Sequence, residues 1–341
     1  MAAGDFILGF LAGCAAIIVV LALVAFSFIR SGDIYGLGHW KLNAKAPFPS
    51  MWMNLGYWTR DDGTPIQHLD EAARNMLANI LKAAGLASNN TTTQNAVAVL
   101  DVGFGCGDQT VALAELIQAP SRPHFRYVGL TLNEVQQQAA QQRLDASLLA
   151  MDKSAADNLS FKLFQADAAK PQSWNKAIRT AVDSLSDTAF SERWLLGLDC
   201  LYHFSPSRKP IFKHAAQHMD ANVMAFDLVL SDDASAWQTL AVRLLGFVLL
   251  CPWRTFLTEG QYRQQLVECG YDDGGHIEIR DVSDHVFAGL AGFLQRQHAA
   301  LSPYGISLTG YTAVGKVYSW LHRTRVLKAA IVVARKKSKS Q

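Results

Sequence analysis

Charge is scarce in this chain. Of its 341 residues 18% are charged, against roughly 25% in ordinary soluble domains, and half are hydrophobic. A chain this apolar can bury a core, which excludes intrinsic disorder; without a strict glycine period or sustained heptads, a collagen-like fibre and a coiled coil are excluded as well. Neither sign of charge dominates. Lys and Arg number 31 and Asp and Glu 29, a net of +2, so nothing points to nucleic acid as the main partner. Cysteine is sparse too: Cys14, Cys106, Cys200, Cys251 and Cys269 are odd in number and contain no CxxC pair. That speaks against a disulfide framework or a zinc site and for a reducing compartment, and no histidine spacing suggests any other metal. No internal repeat is visible. The length allows two domains, or one large domain with additions.

The apolar excess is unevenly spread. Phe6 to Ile29 carries no charge and only one hydroxyl, Ser27. As a helix it would be about 36 Å long, enough to cross a hydrocarbon core of roughly 30 Å. The rival reading is a cleaved signal peptide, for which Ala22 to Ala25 offers small residues. Against it, no Lys or Arg precedes the run, and the run exceeds the usual span of about 7 to 15 residues. Asp5 is the only side-chain charge before the segment, while Arg30, Lys41 and Lys45 follow it, which places the rest of the chain in the cytosol. The C-terminal Lys337-Ser338-Lys339-Ser340-Gln341 resembles the KxKxx retrieval signal of endoplasmic reticulum membrane proteins; the alternative is a solvated basic end. For a cytosolic domain the NxS/T matches at Asn89, Asn90 and Asn158 are chance. The expected organisation is an anchor over 1–30, an aromatic linker and lead-in over 31–68, the main domain over 69–335 and a basic tail over 336–341.

Within the main domain the pattern alternates. Apolar spacing predicts an amphipathic helix over Leu69 to Leu86. Buried strands AVAVLDVG, HFRYVGL, LSFKLFQAD, RWLLGLDC and NVMAFDLVL then take turns with helices DQTVALAELI, EVQQQAAQQRLDASLLA, PQSWNKAIRTAVDSL and RKPIFKHAAQHM. Such alternation implies an α/β fold, a parallel, doubly wound sheet covered on both faces. It breaks at Ala234 to Leu257, an apolar stretch around Arg243 and Arg254 that is too short and too charged for a second span. That insert is expected either as a buried helix lining a pocket or as a lid resting on a bilayer with its arginines at headgroup level. A helix EGQYRQQLVECG, a strand HIEIRDV, two more helices and a closing strand VLKAAIVVARK complete the chain.

One turn carries chemistry. In Val99 to Asp108 an apolar strand runs into Gly103, Gly105 and Gly107 and then a helix. Glycines there let a ligand approach bare backbone beside a helix N-terminus, and Asp101, just before the turn, can face an amino group or tie down the loop. The order GxGxG differs from the dinucleotide fingerprint GxGxxG, with Asp108 where the third glycine would fall. A purely structural glycine turn is the remaining alternative.

VLDVGFGCGDQT resembles motif I of the class I S-adenosylmethionine-dependent methyltransferases. GLTLNEVQ, from Gly129, resembles the GxTLSxxQ sequence of the sterol and cyclopropane-fatty-acid branch. LFQADAA resembles the acidic motif after the third strand, LDCLYHF the fourth-strand motif, and MWMNLGYW the aromatic lead-in of that branch. The resemblance covers roughly residues 50 to 335. It implies the Rossmann-like methyltransferase fold, with a mostly parallel seven-stranded sheet, and S-adenosylmethionine as cofactor. It implies that Gly103, Gly105 and Gly107 meet the methionine part, with Asp101 beside them. Thr131, Leu132 and Gln136 would lie along the ribose, Asp167 and Ala168 at the adenine, and Tyr57 over the cofactor. Where many class I enzymes place an acidic residue at the tip of the second strand, this chain has Leu130-Thr131, with Glu134 the nearest carboxylate.

Methyl transfer from a sulfonium rests mainly on positioning and exclusion of water, and needs a base only if the acceptor must lose a proton. His203 is the candidate base or substrate contact, with a structural role as cap of the next helix as the alternative; Tyr202 beside it is the candidate pocket wall of the acceptor site. The apolar segments point to a hydrophobic small molecule or a lipid as acceptor. The competing readings are a non-catalytic methyltransferase-like scaffold and a nicotinamide-dependent oxidoreductase.

Overall fold

Seven strands form one sheet in the order β3-β2-β1-β4-β5-β7-β6. They are β1 (Val97–Val102), β2 (Phe125–Thr131), β3 (Leu159–Gln165), β4 (Glu192–Leu198), β5 (Asn222–Leu230), β6 (Ile277–Asp281) and β7 (Leu327–Ala334). The first five are parallel to one another, and β7 runs antiparallel between β5 and β6. The computed structural model describes residues 48–87, 95–119, 122–150, 158–272 and 274–336, together with Phe10, residues 13–20 and Lys45.

Two-residue periodicity sorts the strand side chains between two apolar layers. Val97, Val99, Phe125, Tyr127, Trp194 and Leu196 face the layer built with α1 (Leu69–Ala84), α2 (Asp108–Leu116) and α3 (Glu134–Leu149). Ala98, Leu100, Val102, Val128, Leu130 and Leu195 face the layer built with α4 (Lys176–Asp183) and α5 (Lys209–Gln217). Every residue of β1 is buried, as a central strand covered on both faces requires. In α1 the buried Ala72, Met76, Ile80 and Leu81 recur at helical spacing, and Gly85 ends the helix in the left-handed region at φ 74°, where its amide bonds back to Leu81. Asn133 and Asn175 cap α3 and α4 by accepting the amides of Gln136 and Ile178.

Four further helices follow: α6 (Ala236–Val248), α7 (Glu259–Cys269), α8 (Phe287–Leu301) and α9 (Thr309–Thr324). The stretch 171–185 forms a 3-10 turn at Pro171–Ser173 before α4 begins, because Asn175 caps a new start.

The apolar insert corrects an expectation. Residues 234–257 supply α6 and a loop, and α6 buries only Val242 and Gly246. No residue of the insert lines either of the two cavities at the carboxyl ends of the strands, so it is not a buried pocket-lining helix.

By internal packing the chain divides into residues 1–46 with 298–308, and residues 47–297 with 309–341, the latter holding the sheet. In the former, residues 13–20 are helical and fall inside the expected span; apart from Phe10, the rest of Phe6 to Ile29 lies outside the described residues, as does the 337–341 tail. Among the described residues no helix is long and apolar enough to cross a membrane.

Candidate active site

At the carboxyl ends of β1, β2 and β4 the glycine turn opens between two adjoining cavities of about 390 Å³ and about 210 Å³, which share Gly103, Cys200 and His203 as common wall. Open α/β sheets present ligand sites at this edge. The larger cavity is bounded by Met51 to Leu55, the turn from Gly103 to Cys106, Gln136, Asp199, Tyr202 and Tyr318. The smaller is bounded by Leu130 to Leu132, Ala166 to Ala169, Phe204 and Ser205.

The three glycines do different work. Gly103 (φ 86°) passes so close to Cys200 that a Cβ would lie 2.9 Å from its Sγ. Gly105 (φ 64°) is open, with only Met53 Cε within reach at 3.7 Å, so its backbone faces the larger cavity bare. Gly107 (φ 92°) lines neither cavity; a Cβ there would lie 2.7 Å from Ala140 Cα, and its smallness lets α2 start against α3. The expectation of a cofactor contact is corrected for Gly107.

Asp101 is corrected as well. It shares the parity of Val97 and Val99 and points beneath the turn, where its carboxylate accepts both 2.8 Å contacts from Gln109 Nε2 and a 2.6 Å bond from the Tyr127 hydroxyl. It is fully buried and lines neither cavity, and burial raises its pKa to about 7. Of its two sequence-level roles, it ties down the loop.

Thr131 and Leu132 line the smaller cavity and Gln136 the larger. The Thr131 hydroxyl donates to Gln136 Oε1 at 2.9 Å, which leaves the Gln136 Nε2 as the donor, 3.8 Å from Met53 Sδ. Glu134 bonds Gln138 along the helix at 3.3 Å and lines neither cavity. Asp167 and Ala168 border the smaller cavity. The Asp167 carboxylate accepts the Ala169 amide at 2.9 Å and pairs with Lys170 at 2.9 Å.

Tyr57 lies elsewhere. Its ring stacks on His285 at 4.6 Å, and it borders neither cavity. The part of the lead-in that closes the site is Met51 to Leu55, held by three bonds the sequence did not single out. The Met51 amide donates to Asp108 at 3.2 Å, the Leu55 amide to Asp199 Oδ2 at 2.8 Å, and Arg143 to the Phe48 carbonyl at 2.9 Å.

Asp199 is the residue that motif matching missed. It follows β4 directly, in the left-handed region at φ 62°, which residues other than glycine rarely adopt, and faces the larger cavity. Its other oxygen accepts the Tyr202 hydroxyl at 2.8 Å, and burial raises its pKa to about 7 against these donations. The available signal was a carboxylate at a strand's carboxyl end. Tyr202 lines the same cavity, and burial beside Asp199 lifts its phenol well above the usual range, so it is a neutral wall. His203, in the 3-10 turn Leu201–His203, borders both cavities with Nδ1 3.5 Å from Cys251 Sγ. Partial burial lowers its pKa, so it is neutral at neutral pH. Arg208, not His203, occupies the cap position of α5.

Cys200 donates to the Val102 carbonyl at 2.8 Å, and burial pushes its thiol well up, which makes it packing. Beneath this loop Arg208 pairs with Asp227, donates to Thr255 Oγ1 at 3.0 Å and lies 4.8 Å over the Tyr262 ring, while Tyr262 donates to Asp227 at 2.9 Å. Thr255 in turn donates to the Tyr202 carbonyl at 2.7 Å, so this buried group fixes the floor of the site.

A ligand shaped like S-adenosylmethionine fits these residues. The bare backbone at Gly105 takes a polar tail, the acidic Asp199 suits its ammonium, Gln136 Nε2 reaches a hydroxyl, and the smaller apolar cavity beside Asp167 takes a flat base.

No protein-family model matches the chain, and a search of curated proteins finds no match. Solved structures do. The chain is similar to the cyclopropane synthase MmaA2 from Mycobacterium tuberculosis, with 17% identity and a TM-score of 0.53 over 83% of this chain and 90% of that one. It is similar to the mycolic acid cyclopropane synthase CmaA1 complexed with SAH and CTAB, with 18% identity and a TM-score of 0.53 over 84% and 91%. It is also similar to the 4+2 cyclase SpnF, with 19% identity and a TM-score of 0.51 over 90% and 94%. At such identities the likeness is one of fold, and the last shows that this fold hosts more than one reaction. The antiparallel β7 between β5 and β6 departs from the dinucleotide-binding order 3-2-1-4-5-6. In fold, the chain is similar to these cyclopropane synthases.

Proposed function

We propose that this chain is an S-adenosylmethionine-dependent methyltransferase acting on a hydrophobic small molecule or lipid. We further propose that residues 6–29 anchor it in a membrane, most simply that of the endoplasmic reticulum, with the 69–335 domain in the cytosol. The observation that carries the catalytic reading is the glycine turn, with Gly103 in the wall shared by two cavities of complementary character and Gly105 presenting bare backbone to the larger. When bound, the cofactor supplies an electrophilic methyl group on a sulfonium. Asp199 and the Gly105 backbone hold the amino-acid end, Gln136 the ribose, and Leu132, Ala168 and Asp167 the base. Met51 to Leu55 close the larger cavity against water, which favours in-line transfer. His203, neutral at neutral pH, accepts a proton from an acceptor that must lose one, and Tyr202 and Tyr318 wall the acceptor space. The apolar N-terminal run and the exposed apolar insert support a lipophilic acceptor. The test is incubation of the full chain with methyl-labelled cofactor and membrane lipid extract, followed by mass analysis. A lipid that gains one CH₂ is expected; no labelled product from any extract, with the cofactor bound, would leave only a scaffold.

A further inference from the structure

The helix α6 exposes an unbroken apolar stripe. Trp237 (80% exposed), Leu240, Leu244, Phe247 and Val248 recur at helical spacing, and the stripe runs on into Leu250 (86% exposed) and Trp253. No charged side chain interrupts it. A contiguous exposed apolar patch on a folded domain marks a surface that is covered in use.

The flanks of the stripe indicate by what. Arg243 lies beside it on the same helix, and Arg254 follows Trp253 directly. With Lys209 they line a shallow polar recess, three cations against one carboxylate, Glu268, which pairs with Lys209 at 2.6 Å. The Arg243 Nε is buried without a hydrogen-bond partner. Apolar and aromatic side chains on one face with unneutralised arginines at its margin match an acyl-chain boundary overlaid by anionic headgroups.

The inner face of the same helix packs toward the site. Gly246 sits so close to Phe256 that a Cβ would lie 2.5 Å from its ring, and that ring is 6.5 Å from Tyr202. Cys251, just after the helix, touches His203, which borders both cavities.

We infer that α6 and the 249–253 loop dock on an anionic phospholipid bilayer, apolar stripe in the acyl boundary and Arg243 and Arg254 at the phosphates. The docking itself does not depend on methyl transfer; its consequence, direct entry of a lipophilic acceptor from the bilayer, rests on the function proposed above.

The full chain is reconstituted into vesicles of phosphatidylcholine and phosphatidylglycerol carrying an acyl-chain diazirine, irradiated, digested and mapped by mass spectrometry. Adducts are expected on residues 237–253, several-fold fewer in pure phosphatidylcholine. The pair Arg243→Gln and Arg254→Gln is expected to lower labelling to the neutral-vesicle level, and Phe247→Ser with Leu250→Ser to lower it in both. Since these apolar side chains are exposed, an unchanged melting temperature checks that the variants fold. Adducts confined to residues 6–29 overturn the proposal, as do α6-to-α6 cross-links between copies in place of lipid adducts. Equal labelling in neutral and anionic vesicles overturns the headgroup assignment. Labelling requires no turnover, so a chain that docks yet methylates nothing overturns the function and leaves the docking standing.

Discussion

The Asp199 carboxyl sits at the carboxyl end of β4, where burial raises its pKa from 3.8 to about 7 even though Tyr202 and Leu55 both donate to it. Between those values the native state holds a proton that the unfolded chain has released. Its contribution to stability is therefore full below about pH 4 and lost as pH rises through about 7. Asp101 titrates over the same interval for the same reason. Replacing Asp199 by Asn is expected to reduce, and replacing both to reduce further, the fall in unfolding free energy between about pH 4 and pH 7, read by urea titration. The glycines separate two effects. Gly105→Arg has room for its side chain, so the protein is expected to stay folded at a strain of about 1–2 kcal/mol while losing S-adenosylmethionine binding in calorimetry. Undiminished affinity would remove the cofactor assignment. Gly107→Ala adds to the same strain a Cβ 2.7 Å from Ala140 Cα and is expected to cost more stability than Gly105→Ala. That Gly103, Gly105, Thr131, Gln136 and Asp167 border the cavities could be anticipated because strand-end turns are written in contiguous motifs. Asp101 was placed beside the cofactor because the motif does not record strand parity, which this residue shares with Val97 and Val99 and which turns its carboxylate onto Gln109 and Tyr127. The position of Tyr57 was not legible, because the register of the lead-in is set by the Leu55 amide reaching Asp199 across 144 positions of sequence.

Among the elements, the buried Arg208–Asp227 pair joins the loop after β4 to β5, to α7 through Tyr262 and to the loop after α6 through Thr255. Arg208→Met would leave the Asp227 carboxyl without its partner in the core, and is expected to cost about 3–5 kcal/mol in denaturant unfolding. Adding Asp227→Leu is expected to recover much of that loss, since the penalty lies in the orphaned carboxyl. Strands and helices followed from periodicity with little error. The environment of α6 did not, for a physical reason: apolar residues at helical spacing look alike whether a sheet or a lipid surface covers them. Periodicity records that a face is apolar and not what lies on it.

For the molecule as a whole, binding to the native state alone raises its stability by about 2.7 kcal/mol when ligand is at a hundredfold its Kd. S-adenosylmethionine at that excess is expected to raise the melting temperature by roughly 5 °C, and a nicotinamide dinucleotide to leave it unchanged. A shift with the dinucleotide alone would restore the oxidoreductase reading. All five cysteines are free thiols, so a reducing agent is expected to leave the melting temperature where it is. The position of β7 bears on how the protein is made. β5 and β6 do not pair with one another; each pairs with β7, which is formed from residues 327–334 near the end of the sequence. On the ribosome, β5 therefore emerges with one edge bare and waits, on the order of ten seconds at ordinary elongation rates, for its partner to be synthesised. Over that interval the nascent chain presents an apolar strand edge to every other chain nearby, and translation that stops short of Leu327 would release a protein with its glycine cradle built and its sheet unable to close.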